Sequence, residues 1–424
     1  MSKNAEALAL HGGAPALSQP MPAMYPGGLR IDREEEEAVV AVIRSRRLFR
    51  YYGPAEGPSK VAELEQAFGS ARGSRHAMAV TSGTAALMCG LAGLGIGPGD
   101  EVIVPAYTWI ASASAVVASG AVPVVAEVDE SLTLDPVDVE AKITPYTRAI
   151  LPVHMRGAPG HMNELTAVAR RHGLQMLEDV AQANGASYRG RRLGTIGDAG
   201  AFSLQFNKII TSGEGGLLLT DNDEVFTRVQ MYQDVVGGLR NGIPEDQILP
   251  GINFRMPELL AAVALVQLRR LEGVIADMRW RKRVINDSLA DAARQKGIRF
   301  RALNDPEGEA AIALIFYLPE MARAGEVVAA LKAEGINAFV MYAPDTVDYH
   351  VYAHWAPIIN QRTWSADGGP WKHHPRKVEY SAQMCPRTLD LLGRAIHIDI
   401  SPDLSPASTE EVAEGLNKVI RGVL

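Results

Sequence analysis

Between about residue 60 and residue 220, apolar runs of strand length alternate with helix-length amphipathic stretches, and this alternation constrains the fold more than any other feature of the chain. Repeated strand–helix units pair their strands mostly in parallel and cover both faces of the sheet with helices. Residues 102–126 carry no charge, which alone resembles a membrane span. Pro105, Gly120 and Pro123 divide that stretch into strand, helix and strand, and its serines and threonines weaken the membrane reading further. After Met256-Pro257 the spacing of Leu259, Leu260, Val263, Val266, Leu268 and Leu271 predicts one long helix to about residue 290. A strand over 311–318, a helix over 325–334 and a terminal helix over 409–420 follow. The expected organisation is an N-terminal arm (1–30), a large α/β domain with a mostly parallel mixed sheet (31–275) and a smaller α+β C-terminal domain (276–424).

Composition agrees with this organisation without discriminating among functions, since 424 residues with 47% hydrophobic content are enough for a large core and two domains. The net charge is −7, with no basic patch or tail, so nucleic-acid binding is not expected. Two cysteines, Cys89 and Cys385, fit a reduced compartment better than a disulfide framework, and the N-terminus lacks a basic region followed by an apolar core. A cytoplasmic location without membrane contact is the expectation.

Three polar residues stand at the ends of apolar runs. Asp179 closes Leu174-Gln175-Met176-Leu177-Glu178, a strand-like stretch, and ligands of open α/β sheets lie at such C-terminal strand ends. Asp179 also precedes Val180-Ala181-Gln182-Ala183, where an aspartate equally fits a helix N-cap. Ser203 ends a second run. Lys208 lies in Phe206-Asn207-Lys208-Ile209-Ile210, where burial would push an ammonium toward the neutral amine. An amine that binds an aldehyde, a carboxylate that keeps a ring nitrogen protonated and a hydroxyl for a phosphate are what pyridoxal 5'-phosphate requires.

The phosphate also needs N–H donors. Thr81-Ser82-Gly83-Thr84-Ala85-Ala86-Leu87 follows the strand-like Ala77-Met78-Ala79-Val80 and opens a helix-like run, so it offers either an anion site or an ordinary capped turn. Neither a Walker loop nor a dinucleotide fingerprint is present there. Trp109, after Val104-Pro105-Ala106-Tyr107-Thr108, fits ring stacking and core packing equally.

Taken in order, Ser82 to Leu87, Gly97 to Pro105, Pro152-Val153-His154, Glu178 to Ala183, Phe202-Ser203 with Lys208, Gly213-Glu214-Gly215-Gly216 and Asn253-Phe254-Arg255-Met256 resemble the DegT/StrS family of PLP-dependent keto-sugar and aminocyclitol aminotransferases. The resemblance spans about residues 30–275. It implies the fold-type-I transferase architecture, a pyridoxamine 5'-phosphate form between half-reactions, and a homodimer with sites at its interface. It also implies roles: Lys208 as the Schiff-base lysine and proton shuttle, Asp179 against the pyridine nitrogen, Gln182 near the phenolic oxygen, and Ala181 and Trp109 on the ring faces. Gly83, Thr84 and Ser203 would hold the phosphate, with Asn253 reaching across from the neighbouring subunit. Some members carry histidine at the lysine position and deoxygenate sugars, a pattern Lys208 argues against, as it does against a non-catalytic protein of this fold.

The substrate is less legible. Leu48 to Gly53 and Asn253 to Met256 look like a subgroup acting on 8-keto octulosonates, whereas Gly12-Gly13-Ala14-Pro15 resembles aminocyclitol and aminobenzoate-type members. An amino donor, glutamate or glutamine, and a polyhydroxylated keto acceptor are expected, with a dehydrating or aromatising reaction on an amino-cyclohexenone as the alternative. His154, Arg156 and Arg255 are candidate substrate contacts, the arginines for a carboxylate. Arg156 and the stretch Ile396-His397-Ile398-Asp399-Ile400-Ser401 depart from the family's common pattern. Residues 343–386 read as a long irregular segment, a pocket wall or a solvated loop. His350 and His354, with His373 and His374 beyond, have no acidic residue nearby that completes a ligand set, so no metal is expected.

Overall fold

The computed structural model describes residues 7–54, 57–343 and 345–424. Seven strands form the central sheet: β1 (His76–Val80), β2 (Glu101–Pro105), β3 (Val122–Ala126), β4 (Thr147–Ile150), β5 (Gln175–Asp179), β6 (Ala199–Ser203) and β7 (Gly216–Thr220). Their spatial order is β1-β7-β6-β5-β4-β2-β3, and only β7 runs antiparallel to its neighbours.

Side-chain alternation explains the layering. Because successive residues of a strand point to opposite faces, Met176, Phe202, Leu217 and Leu219 enter one core while Leu177, Ala201 and Leu218 enter another. Helices Lys60–Arg72 and Met162–His172 cover the first face, and α1 (Gly83–Gly93), α2 (Ala111–Ala118) and helix Asp223–Tyr232 cover the second. Burial on both faces gives continuous apolar strands, and each fully buried Leu or Phe contributes about 2 kcal/mol. The uncharged stretch resolves into β2, α2 and β3, and among the described residues no helix is long and apolar enough to cross a membrane.

Helix α3 (Glu258–Gln295) spans 38 residues without a break and packs against helices Arg33–Ser45 and Lys60–Arg72 as well as α4 (Pro406–Val423). It therefore links the large sheet to a second, antiparallel one. That sheet holds β8 (Arg299–Phe300), β9 (Ala313–Tyr317), β10 (Ala338–Phe339) and β11 (Ala395–Asp399), in the order β8-β9-β11-β10.

The arm is tied down at several points, among them Ser18 on Glu411 and Arg30 on Asp403. Both carboxylate oxygens of Glu334 accept backbone N–H groups, from Ala9 at 2.8 Å and Ala16 at 2.9 Å. Further on, Gly27 N–H donates to the Lys208 carbonyl at 3.3 Å, which draws Met24 to Pro26 to the edge of the strand ends. Residues 343–386 hold more regular structure than the sequence suggests, with short helices Ala356–Ile359 and Gly369–His373.

Candidate active site

A cleft of about 590 Å³ opens at the C-terminal ends of the parallel strands. Gly83, Thr84, Trp109, Asp179, Ala181, Gln182, Ser203 and Lys208 all line it, so eight residues named from the sequence motifs and the family resemblance converge on one cavity. A shallower depression of about 480 Å³ around Ser74, Asp221 and Asp223 is lined by no lysine or histidine, and its carboxylates, Asp198, Asp221, Asp223 and Glu224, are all exposed.

Asp179 is buried at the tip of β5. Its Oδ1 accepts the Ala181 N–H at 3.0 Å and its Oδ2 accepts the Ser112 hydroxyl at 2.9 Å. No helix follows, so the aspartate fastens a turn. Burial pushes its carboxyl above the ordinary value, against the pull of those donors and of the Lys208 charge. Burial likewise lowers the Lys208 ammonium, opposed by Asp179 and reinforced by the positive charge of Arg156. Each partner is thus uncomfortable alone, and a cationic group between them would favour the carboxylate.

Beside this pair lies an anion cradle. Ser82 caps α1 by accepting the Ala85 N–H at 3.0 Å, which leaves the Gly83 and Thr84 N–H groups without a hydrogen bond to any described residue. A Cβ on Gly83 would stand 2.7 Å from the Ser203 Cβ, so the helix end and the serine approach as closely as a glycine allows. A Cβ on Gly216 would meet the Ser82 carbonyl oxygen at 2.3 Å, which is why β7 can start against this turn.

The opposite wall joins both sheets. Gln182 Oε1 accepts the Arg156 backbone N–H at 3.0 Å, and its Nε2 lies 3.3 Å from His350 Nε2. His350 Nδ1 contacts Asp348 Oδ1 at 2.8 Å; with that nitrogen protonated, Nε2 is free to accept from Gln182. His350 packs on Trp109 with ring centroids 4.9 Å apart, and Trp109 is 46% exposed, so it belongs to the cleft and not to the core. Asp348 is the acidic residue near His350 that the sequence reading missed, although no group of three or more potential metal ligands gathers among the described residues.

The model for the DegT/DnrJ/EryC1/StrS aminotransferase family matches residues 29–367. The chain belongs to this family. It is therefore an aminotransferase, which removes the non-catalytic alternative. Across 98% of its length it is 34% identical to the L-glutamine:2-deoxy-scyllo-inosose aminotransferase of Streptoalloteichus tenebrarius, covering 97% of that protein. Among solved structures, 3-amino-5-hydroxybenzoic acid (AHBA) synthase superposes with a TM-score of 0.79 at 26% identity, over 95% of this chain and 100% of that one. DesI, solved in the presence of its TDP-sugar product, superposes with a TM-score of 0.77 at 29% identity, over 99% and 97% of the two chains.

Within this DegT/StrS framework, three candidate contacts lie elsewhere. His154 does not reach the cleft. It is wholly buried, its Nδ1 accepts the Gly160 N–H at 3.0 Å and its Nε2 donates to Glu178 at 3.1 Å, so it braces β5 from behind. Arg255 is also outside, because the buried carboxylate of Asp234 takes its guanidinium at 2.5 Å. Asn253 is exposed and is not among the residues that line the cleft. Arg156 does line the cleft and pairs there with Asp399. Spacing gave no sign of Ser112, one turn beyond Thr108, whose hydroxyl it meets at 2.8 Å.

Proposed function

We propose that the cleft binds pyridoxal 5'-phosphate and passes an amino group from glutamine or glutamate to the ketone of a polyhydroxylated ring. The observation that supports this most is the convergence of Asp179, Lys208 and the Gly83/Thr84/Ser203 cradle on one cavity. The donor set fits the cofactor: a depressed ammonium for the aldehyde, a buried carboxylate for a ring nitrogen, and unpaired N–H groups beside a hydroxyl for a phosphate. Lys208 would hold the aldehyde carbon, Asp179 the pyridine nitrogen, and Gly83, Thr84 and Ser203 the phosphate. Trp109 and Ala181 would pack on the ring faces, with Gln182 beside the phenolic oxygen. When bound, the cofactor supplies an electron sink for the carbon next to the transferred nitrogen.

The protein's own part is positional and acid–base. Asp179, held by Ser112 and Ala181, keeps its negative charge fixed opposite the ring. Lys208 Nζ takes up a proton from one carbon and returns it to another, a role suited to an amine whose pKa burial has lowered. Asn253 of the partner subunit would complete the phosphate site, in keeping with a homodimer. The exposed apolar side chains of Val235, Leu239 and Leu249 fit the same arrangement.

The relative acting on 2-deoxy-scyllo-inosose spans almost the whole chain, which favours a keto-cyclitol acceptor over an octulosonate. The test supplies purified protein with pyridoxal 5'-phosphate, L-glutamine or L-glutamate, and 2-deoxy-scyllo-inosose or a TDP-keto-sugar. The expected result is an aminated product with matching release of the 2-oxo acid, abolished in Lys208→Ala; oxo-acid release from neither donor would refute the reading. The likeness to AHBA synthase supports a second reading, loss of water from an amino-cyclohexenone. A product formed without any amino donor would select it.

A further inference from the structure

An enzyme of the proposed kind holds two unlike groups in one cavity by turns: an α-amino acid carrying a carboxylate, and a ketone whose reacting ring is polyhydroxylated and uncharged. A lone arginine in the wall would suit the first and stand as an unpaired buried charge beside the second. A lone aspartate would do the reverse.

The two departures from the family pattern meet in the structure. Arg156 leaves the end of β4 through a left-handed backbone turn (φ 53°), and its Nη2 is bonded to Asp399 Oδ1 at the end of β11 in the other sheet. Both side chains line the cleft, and both are mostly buried, at 15% and 20% exposed. Neither is used up. Among the described residues, Arg156 donates no side-chain hydrogen bond other than that to Asp399; Nε is buried without a partner, and Asp399 Oδ2 accepts none. A guanidinium has five N–H donors, so a second carboxylate can bind without breaking the pair.

The position suits a donor. Arg156 is the only arginine among the described cleft residues, and its charge acts on Lys208, the amine beside which a donor's carboxylate must lie. The Phe339 ring, 5.6 Å from the guanidinium carbon, and the Gln182 bond to the Arg156 backbone fix its place.

Resting on the proposed aminotransfer, we infer that Arg156 and Asp399 form a two-way substrate contact: Arg156 binds the α-carboxylate of the amino donor, and Asp399 accepts hydroxyl hydrogens of the polyhydroxylated acceptor. Each neutralises the other while its own ligand is absent. A charge-assisted hydrogen bond is worth about 1.5–3 kcal/mol, so losing one weakens the matching ligand by at least about tenfold.

The experiment separates the halves. Holoenzyme is titrated with L-glutamine or L-glutamate and the cofactor absorbance followed, and the binding of 2-deoxy-scyllo-inosose to the amino-form enzyme is measured by calorimetry. Arg156→Gln should raise the donor concentration for half-maximal response at least about tenfold and change acceptor binding by less than about threefold. Asp399→Asn should do the opposite. If Arg156→Gln fails to fold with Asp399 unpaired, Arg156→Gln/Asp399→Asn replaces it, and should weaken both ligands in a neutral site. Equal sensitivity of both ligands to either single variant overturns the inference and leaves aminotransfer standing. A wild type whose absorbance answers neither amino acid overturns both, and one that binds no keto-cyclitol removes Asp399 from the role.

Discussion

Ser112 and Asp179 are joined by a buried hydrogen bond of 2.9 Å, which lets α2 hold the carboxylate at the tip of β5. Burial already raises the Asp179 carboxyl, and the Ser112 hydroxyl is one of the donors that pull it back. Ser112→Ala should therefore raise it further. In the proposed reaction the ionised acid is the working form, so the acid limb of the donor half-reaction should move to higher pH. A hydrogen bond to a charged group is worth about 1.5–3 kcal/mol, which corresponds to a shift of about one unit or more. A pH profile superimposable on that of the wild type would exclude Ser112 from this part.

Gly83→Ala tests the cradle. The added methyl would sit 2.7 Å from Ser203 Cβ, so α1 and β6 would have to separate at the place where the phosphate is expected. Alanine is the better helix former, and local helix stability should not fall. The expected outcome is a folded protein that loses cofactor in equilibrium dialysis at least about tenfold more readily, by loss of one charge-assisted hydrogen bond. Undiminished retention would place the phosphate elsewhere.

The legible part of this protein was the part dictated by local rules. Strand ends carrying Asp179 and Ser203, the capped turn at Ser82 and the amphipathic run of α3 are written in neighbouring residues, and the structure places them as the sequence implies. Contacts between distant segments were not legible. Ser112 meets Asp179 across 67 positions and Arg156 meets Asp399 across 243, and nothing near either residue announces its partner. Polar residues next to the candidate cleft residues misled for the same reason. His154 and Arg255 carry suitable chemistry, but Glu178 and Asp234, both buried carboxylates, required them first.

Glu178 shows what that bracing is worth. Burial would raise its carboxyl, but the bond and charge of His154 and the N–H groups of Gly197 and Gly194 outweigh it, and the group lies below its ordinary value of 4.5. A depressed carboxylate contributes stability that is present above the unfolded value and is lost as pH falls through the lower folded value. Thermal midpoints of the wild type should therefore drop as pH falls below about 4.5. Glu178→Gln should be less stable at pH 7 by about 3 kcal/mol, since His154 and three N–H donors lose their charge partner, and should lose less on acidification. Parallel midpoint curves for the two proteins would contradict this account.

Lys208 gives the most direct test of the site's electrostatics. Burial sets its ammonium below 10.5, Asp179 pulls it up and Arg156 pushes it down. The neutral amine, which attacks an aldehyde, should therefore be present at lower pH than in a free lysine, and cofactor capture by the apo-protein should level off below pH 10.5. Asp179→Asn removes the raising charge, so its plateau should begin at lower pH than in the wild type. Arg156→Gln removes the lowering charge, so its plateau should begin at higher pH. Lys208→Ala should show neither the absorbance of lysine-bound cofactor nor turnover, which assigns the measured step to this amine. Stopped-flow absorbance across pH reads all four proteins, and displacement of the two charge variants in the same direction would mean that Asp179 and Arg156 do not act on Lys208 as opposed charges.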